Sequence, residues 1–362
     1  MFRIIFCLII FGQSYHLLAA TNVFSIKNTV YEAGVSGAER AVIEQALTEF
    51  TTNINGSMPD LDNNTLVQGS AESTIIAAKG LGVDYTNAMK VFLIGWSQGM
   101  ALNLGSGNNI LNGAKTIKGI GLTNHFNLGL NLAYLQKKKW ADLPKIWKFD
   151  LKETKLFLNF MKGSVSQKVS GYDLGFDIFS LSIKGMTKIK KAETFKSLFF
   201  KWGGIDLLSG VEYNKVKLTS GIPIDQSLDT VSGGITATTA FDGTVTLGLE
   251  SKVFSIPFEV STSAEFFTLL NFFWGLGGDI NLGSGIGSSS SNSDVEVSIG
   301  GLKKSTSDAY LDIGMESTPV IGNLRWFFGL NFNFWKMKTN IGLQHSLING
   351  IWGLGSSFNI VY

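Results

Sequence analysis

Cysteine is nearly missing from this chain: Cys7 is the only one in 362 residues, which excludes a disulfide framework and a thiolate zinc site. Charge is scarce as well. Only 16% of the residues are Asp, Glu, Lys or Arg, against roughly a quarter in soluble domains. The formal net charge is +2, and with no basic stripe a nucleic-acid surface is excluded. The three histidines, His16, His125 and His345, show no ligand spacing, and Asp225, Asp229, Asp294 and Asp308 fall in predicted loops or turns as caps rather than calcium ligands. No metal or cofactor is expected. Long apolar runs are lacking too: beyond the N-terminus none reaches the ~18 residues a membrane helix needs, and the densest, Phe266 to Trp274, is interrupted by Thr268 and Asn271. Yet hydrophobic residues make up 44%, with 42 Gly and 27 Phe. The apolar surface must therefore be spread over many short elements.

The N-terminus reads as a cleaved export signal over residues 1–20: Arg3, the short apolar run Ile4 to Phe11, then small residues at Ser14, Ala19 and Ala20. Cleavage after Ser14 and after Ala20 both remain open. Residues 21–87 form a different kind of segment, a helical leader. Ser36-Gly37-Ala38-Glu39 has capping-box spacing, and Val42, Ile43, Ala46, Leu47 and Phe50 then share one helical face. Ser70 to Lys79 predicts a second short helix, stopped by Gly80.

Over 88–362 the pattern turns to strands. Phe126, Leu128, Leu130, Leu132 and Tyr134 alternate with Asn127, Gly129, Asn131 and Ala133, while Leu324, Trp326, Phe328, Leu330, Phe332 and Phe334 alternate with Arg325, Gly329, Asn331 and Asn333. An oily face opposite a polar or small one, in segments long enough to span, is the signature of a transmembrane antiparallel β-barrel. The helical leader is then either a plug in the barrel or a cap against one of its mouths. Asn127, Asn131, Arg325, Asn331 and Asn333 are the lumen-lining candidates. The chain ends on a strand, with Phe358, Ile360 and the terminal Tyr362 on one face, resembling the signal by which barrel-assembly machinery recognises its clients. Tryptophans and tyrosines near segment ends fit interfacial girdles. Parsing turns gives about 14 strands, or about 12 if Gly243 to Thr262 is not a hairpin. Asp242-Gly243 supplies the strongest hairpin signal. With both termini placed on the periplasmic side, the Lys-rich connections Gln136 to Lys152 and Met186 to Trp202 fall there too, as interfacial helices or solvated loops.

Gly95-Trp96-Ser97-Gln98-Gly99 has nucleophile-elbow spacing after an apolar strand. The helix such an elbow requires is replaced by the Gly- and Asn-rich stretch Met100 to Gly113, so Ser97 reads as an inward polar residue of the first strand. No catalytic residue is assigned.

Ile256-Pro257-Phe258-Glu259-Val260-Ser261-Thr262-Ser263 and Gly277-Gly278-Asp279-Ile280-Asn281-Leu282-Gly283-Ser284 resemble outer-membrane proteins of the leptospiral-surface-adhesin type. That resemblance implies a surface-exposed protein of the bacterial outer membrane in contact with lipid and with host or prey molecules. The plan of a helical leader before a barrel is also similar to long-chain fatty-acid channels, although their leader motif is absent. Three functions are in view: a structural or surface-interaction barrel, a porin-like transporter of small or hydrophobic solutes, and, third, a barrel-embedded lipid hydrolase.

Overall fold

The computed structural model describes residues 23–57, 63–105, 118–137, 145–146, 149–150, 154–169, 172–191, 200–266, 269–291 and 293–362. The export signal expected over 1–20 lies outside them. In chain order the elements are β1 (Val23–Tyr31), α1 (Gly37–Ser57), α2 (Asn63–Ala78), β2 (Phe92–Asn103), β3 (Gly119–Asn131), α3 (Leu132–Lys137), the two-residue strands β4 (Lys145–Ile146) and β5 (Phe149–Asp150), β6 (Thr154–Val169), β7 (Tyr172–Lys190), β8 (Phe200–Ser232), β9 (Ile235–Phe266), β10 (Leu270–Ser291), β11 (Ser293–Ile299), β12 (Leu302–Ser317), β13 (Gly322–Phe334), β14 (Met337–Ser346) and β15 (Ile351–Val361).

Thirteen strands form one antiparallel sheet. Ten of them, β2, β3, β6 to β10 and β13 to β15, close on themselves, because β15 pairs back onto β2 from Ile351↔Asn103 to Val361↔Leu93. Closure gives backbone polar groups along the wall a neighbouring strand, except where β3 and β6 separate above Phe126 and Phe160, and such pairing is what lets strands cross lipid. No helix among the described residues is long and apolar enough to do so. The alternation reads directly in β13: Leu324, Phe328 and Phe332 face out at 47% exposure each, while Arg325 and Asn331 face in at 0%.

The remaining strands build an arm. β8 and β9 are 33 and 32 residues long and overrun the ring. Beyond it β9 pairs with β11, β11 with β12, and β12 with β1. The capping box forms as the spacing predicted: Ser36 N–H donates to Glu39 Oε2 at 2.8 Å and Glu39 N–H to Ser36 Oγ at 3.3 Å. The apolar face of α1 then covers the arm, burying Val42, Ile43, Ala46, Leu47 and Phe50 against Ala237, Phe241, Val245, Val295, Val297 and Ala309.

Several expectations are corrected here. Asp242-Gly243 is not a turn but lies inside β9, opposite Asp225 and Ile224. The hairpin falls at Gly233-Gly234, whose φ values of +58° and +79° supply both left-handed residues of a tight turn. Gly243 serves closeness instead, since a Cβ there would lie 1.7 Å from Ser293 Oγ. Two long strands thus run where the turn signals predict more, and the closed barrel has ten strands where about 14, or about 12, are expected. Nor do the two ends share a side: β1 sits on the arm, at the end of the barrel opposite Tyr362, because the leader runs through the ring. The second Lys-rich connection is shorter than expected, with Met186 and Trp202 already inside β7 and β8. Of its described residues Lys188 donates to Gly203 O at 2.7 Å and Lys190 lies 5.0 Å over the Trp202 ring.

Accepting the Ser36 N–H, with further help from Lys304, lowers the exposed Glu39 carboxyl from 4.5 to about 2. The folded value lies below the unfolded one, so the cap's contribution is complete above the unfolded value and is lost as pH falls through about 2. Hydrogen exchange, corrected for intrinsic rates, is expected to show α1 protection unchanged from neutral pH down to about 4.5 and declining toward about 2, with Glu39→Gln removing the dependence.

Candidate functional site: a leader threaded through the barrel

Inside the ring lies α2. Its sequence is rich in small residues, Gly69, Ser70, Ala71, Ser73, Ala77 and Ala78, and the wall facing it carries glycine. A Cβ at Gly99 would sit 2.0 Å from Ala77 O, and one at Gly121 2.2 Å from the Ser73 carbonyl carbon. Helix and strand backbones therefore touch, as only small residues permit. This accounts for the Gly95-Trp96-Ser97-Gln98-Gly99 motif. It runs straight through β2, with Gly95 packed on Asn359 and Gly99 on α2. Ser97 donates its hydroxyl to Asn127 Oδ1 at 3.0 Å. Ser97 lies directly opposite His125 in the β2–β3 pairing, both buried, but the His125 Nε2 pairs with Ser180 Oγ at 2.5 Å, and His345 faces outward between Trp326 and Trp352.

Past α2 the leader is tied to the wall by buried ions. Lys79 Nζ lies 2.5 Å from Glu212 and 3.2 Å from Asp279, and it donates to Ser255 Oγ at 2.6 Å. Lys184 holds the other Glu212 oxygen at 2.6 Å. Arg325 bridges Asp279 at 3.2 Å and Glu259, whose second oxygen accepts the Tyr85 hydroxyl at 2.5 Å. Asp84 is held by Lys155 at 3.0 Å and by Lys338, and it also accepts the Met89 N–H at 2.7 Å. Asn87 reaches Asp206 at 3.0 Å. These groups are almost wholly removed from solvent, so each charge depends on its partner.

Nearer the Tyr362 end the same leader meets an apolar layer. Val83, Tyr85 and Met89 pack against Leu93, Phe157, Met186, Leu208, Phe273 and Phe327, with the Tyr85 ring stacked 5.0 Å from Phe273. The expected lumen candidates fall around this plug. Asn127 is fully buried and donates to Asn359 at 3.2 Å; Asn131 donates to Met89 O at 3.3 Å; Asn331 donates to Thr86 Oγ1 at 3.0 Å and to Asn333 Oδ1 at 2.7 Å. Phe358, Ile360 and Tyr362 face outward, about half exposed, and Tyr362 stacks 5.4 Å from Phe92 with the Lys336 ammonium 4.5 Å over its ring.

The sequence reading missed Lys79, Asp84, Lys155, Lys184, Glu212, Glu259, Asp279 and Lys338. A signal was present: Lys155 shares a strand face with Asn159, Lys184 with Ser180 and Ser182, and Glu212 with Asn214, each opposite apolar neighbours.

Such a ring, oily outside and charged within, defines an outer-membrane β-barrel. The Lsa36-like family model matches residues 20–359, and the chain belongs to that family. Among solved structures it is similar to the transport unit of the autotransporter AIDA-I from Escherichia coli, at 11% identity over 82% of this chain and 98% of that one with a TM-score of 0.30. It is also similar to CarO from Acinetobacter baumannii, at 12% identity over 74% and 97% with a TM-score of 0.24, and to a Pseudomonas aeruginosa FadL homologue, at 10% over 82% and 96% with a TM-score of 0.21. No curated protein matches the chain.

Arg325→Met leaves Glu259 and Asp279 buried with a charge lost, a change expected to cost about 3–5 kcal/mol. The temperature at which the folded band converts to the unfolded one on a detergent gel is expected to drop. Adding Glu259→Gln is expected to recover part of the loss, the coupling a double-mutant cycle reads.

Proposed function

We propose that this protein is a sealed outer-membrane barrel whose work is done by its arm: a structural and surface-interaction protein, neither an open channel nor an enzyme. The observation that carries this reading is the leader itself. Residues 21–87, expected as a leader, supply β1 and α1 to the arm and then α2 and Lys79 to Asp84 to the lumen, where ion pairs to four strands, β6, β8, β10 and β14, fix them. A solute would have to break those pairs and the apolar layer behind them, each at several kcal/mol.

The arm-bearing end is the one we assign to the cell exterior, since the arm is the longest excursion from the ring and long excursions belong there; the Tyr362 end carries the short Trp335-Lys336 turn together with the two Lys-rich connections, after β3 and after β7. Host or prey surface molecules would then meet the arm, and the outward Phe358, Ile360 and Tyr362 would engage the barrel-assembly machinery before lipid covers them.

Planar-bilayer recording of the purified full chain is expected to show no steady step conductance. Regular porin-like steps from the unmodified protein would contradict the sealed reading. Lys338→Ala combined with Arg325→Ala is expected to introduce flickering currents by loosening the leader.

A further inference from the structure

The inner wall changes character along its height. Near the Tyr362 end the inward positions of β6 to β9 mix Lys155, Asn159, Lys184, Glu212, Ser255 and Glu259 with Phe157, Met186 and Leu208, all buried. Toward the arm the same faces become apolar, with Val165, Leu174, Phe176, Leu218, Leu247 and Leu249. These side chains, with Leu66 and Val67 of α2 and Met315 of β12, surround a cavity of about 550 Å³. Although they point inward, Val165, Leu174 and Leu247 stay 61%, 43% and 40% exposed. Among the residues that line the cavity none is charged. Apolar side chains turned into an interior and left uncovered by their own chain are the mark of a site for an apolar ligand.

Among the described residues the wall beside this cavity is open. β3 and β6 pair only between Phe126–Asn131 and Lys155–Phe160, while β3 continues to Gly119 and β6 to Val169. Above Phe126 one backbone donor of β3 is met from inside, Ile120 N–H donating to Ser70 Oγ of α2 at 3.3 Å. Leu122 and Phe176, which flank the opening, line the inner cavity and also a second cavity of about 470 Å³ on the lipid-facing wall, with Met100, Ile341 and Leu354. The interior site is thus continuous with the apolar outer face of β2, β3, β14 and β15, while on the other edge of the gap the outward positions of β6 are Lys162, Ser164, Ser166 and Lys168.

We propose that this cavity holds one acyl chain of a membrane lipid, inserted sideways between β3 and β6. Charge decides the source. A free fatty acid would carry its carboxylate into a lining without a cation, whereas a lipid tail entering through the gap leaves its head group outside. The proposal goes beyond the sealed-barrel reading and does not need it, because the cavity lies on the arm side of the ion network.

The test uses the full chain folded in nanodiscs of phosphatidylethanolamine carrying a photoactivatable group on one acyl chain, with crosslinks mapped by mass spectrometry. Crosslinks are expected on inward Leu174, Phe176, Leu218 and Leu247 as well as on outward residues such as Leu181. Leu218→Asn with Leu247→Asn is expected to cut the inward crosslinks by roughly tenfold or more while leaving Leu181 unchanged, in protein that still shows the folded gel band. A second arm replaces the lipid probe with a photoactivatable free fatty acid at the same density. Crosslinks confined to outward residues of folded protein overturn the site, and inward crosslinks from the free acid alone overturn the membrane lipid as its source. If the double variant does not fold, Leu218→Trp, which fills the space, replaces it with the same expected loss.

Discussion

A charge enclosed by a protein wall must be answered by an opposite charge, and that requirement organises this barrel. Lys79 and Asp84 come from the leader; Lys155, Lys184, Glu212, Glu259, Asp279, Arg325 and Lys338 come from seven wall strands. Neither set can be buried alone, since desolvating an unpaired ion costs several kcal/mol. Leader and wall therefore specify one another. A ring without the leader would present a charged, wet interior; with it, the charges form two buried clusters, one around Lys79 and one around Asp84, and the space toward Tyr362 closes over Tyr85 and Met89 as a small hydrophobic core.

The placement of glycine supports the same arrangement. On the lipid-facing side of β2 and β3 the residues are large, as in Trp96 and Phe126, while the facing-in positions Gly99 and Gly121 are reduced to hydrogen so that α2 can lie against the backbone. That contact explains a motif which, read as spacing alone, suggests a nucleophilic serine. The two stretches resembling leptospiral surface adhesins also acquire a physical role: Ile256 to Ser263 and Gly277 to Ser284 lie side by side, Glu259 against Gly277, and carry two of the acids that receive Arg325.

The alternation of β13 and β15, the export-type N-terminus and the lack of membrane helices made the barrel legible in the sequence, and the capping box at Ser36 and Glu39 gave α1. Strand number was less legible because turn chemistry competes locally: Asp242-Gly243 and Gly233-Gly234 are both adequate hairpin turns, and only the packing of Gly243 on Ser293 decides between them. The arm was not legible, since β11, β12 and the upper halves of β8 and β9 alternate as membrane strands do although they sit beyond the ring. The ion network was hidden for a different reason. Single charges on inward faces look alike whether water or a leader answers them, and Lys79 and Asp84 flank a segment whose helical period says nothing of what surrounds it.

The central claim is that the leader occupies the lumen of the folded barrel, and its proximity to the wall is directly measurable. A Cβ at Gly353 would lie 2.8 Å from Ile76 Cγ2, and Cys7 is the only native cysteine. In a cysteine-free background, Ile76→Cys with Gly353→Cys should oxidise to a crosslink joining α2 to β15 in barrels assembled in the outer membrane, detected as a shifted fragment after cleavage between the two positions. Free thiols that react with a water-soluble maleimide, in barrels that otherwise resist detergent, would show the lumen to be open and contradict the account.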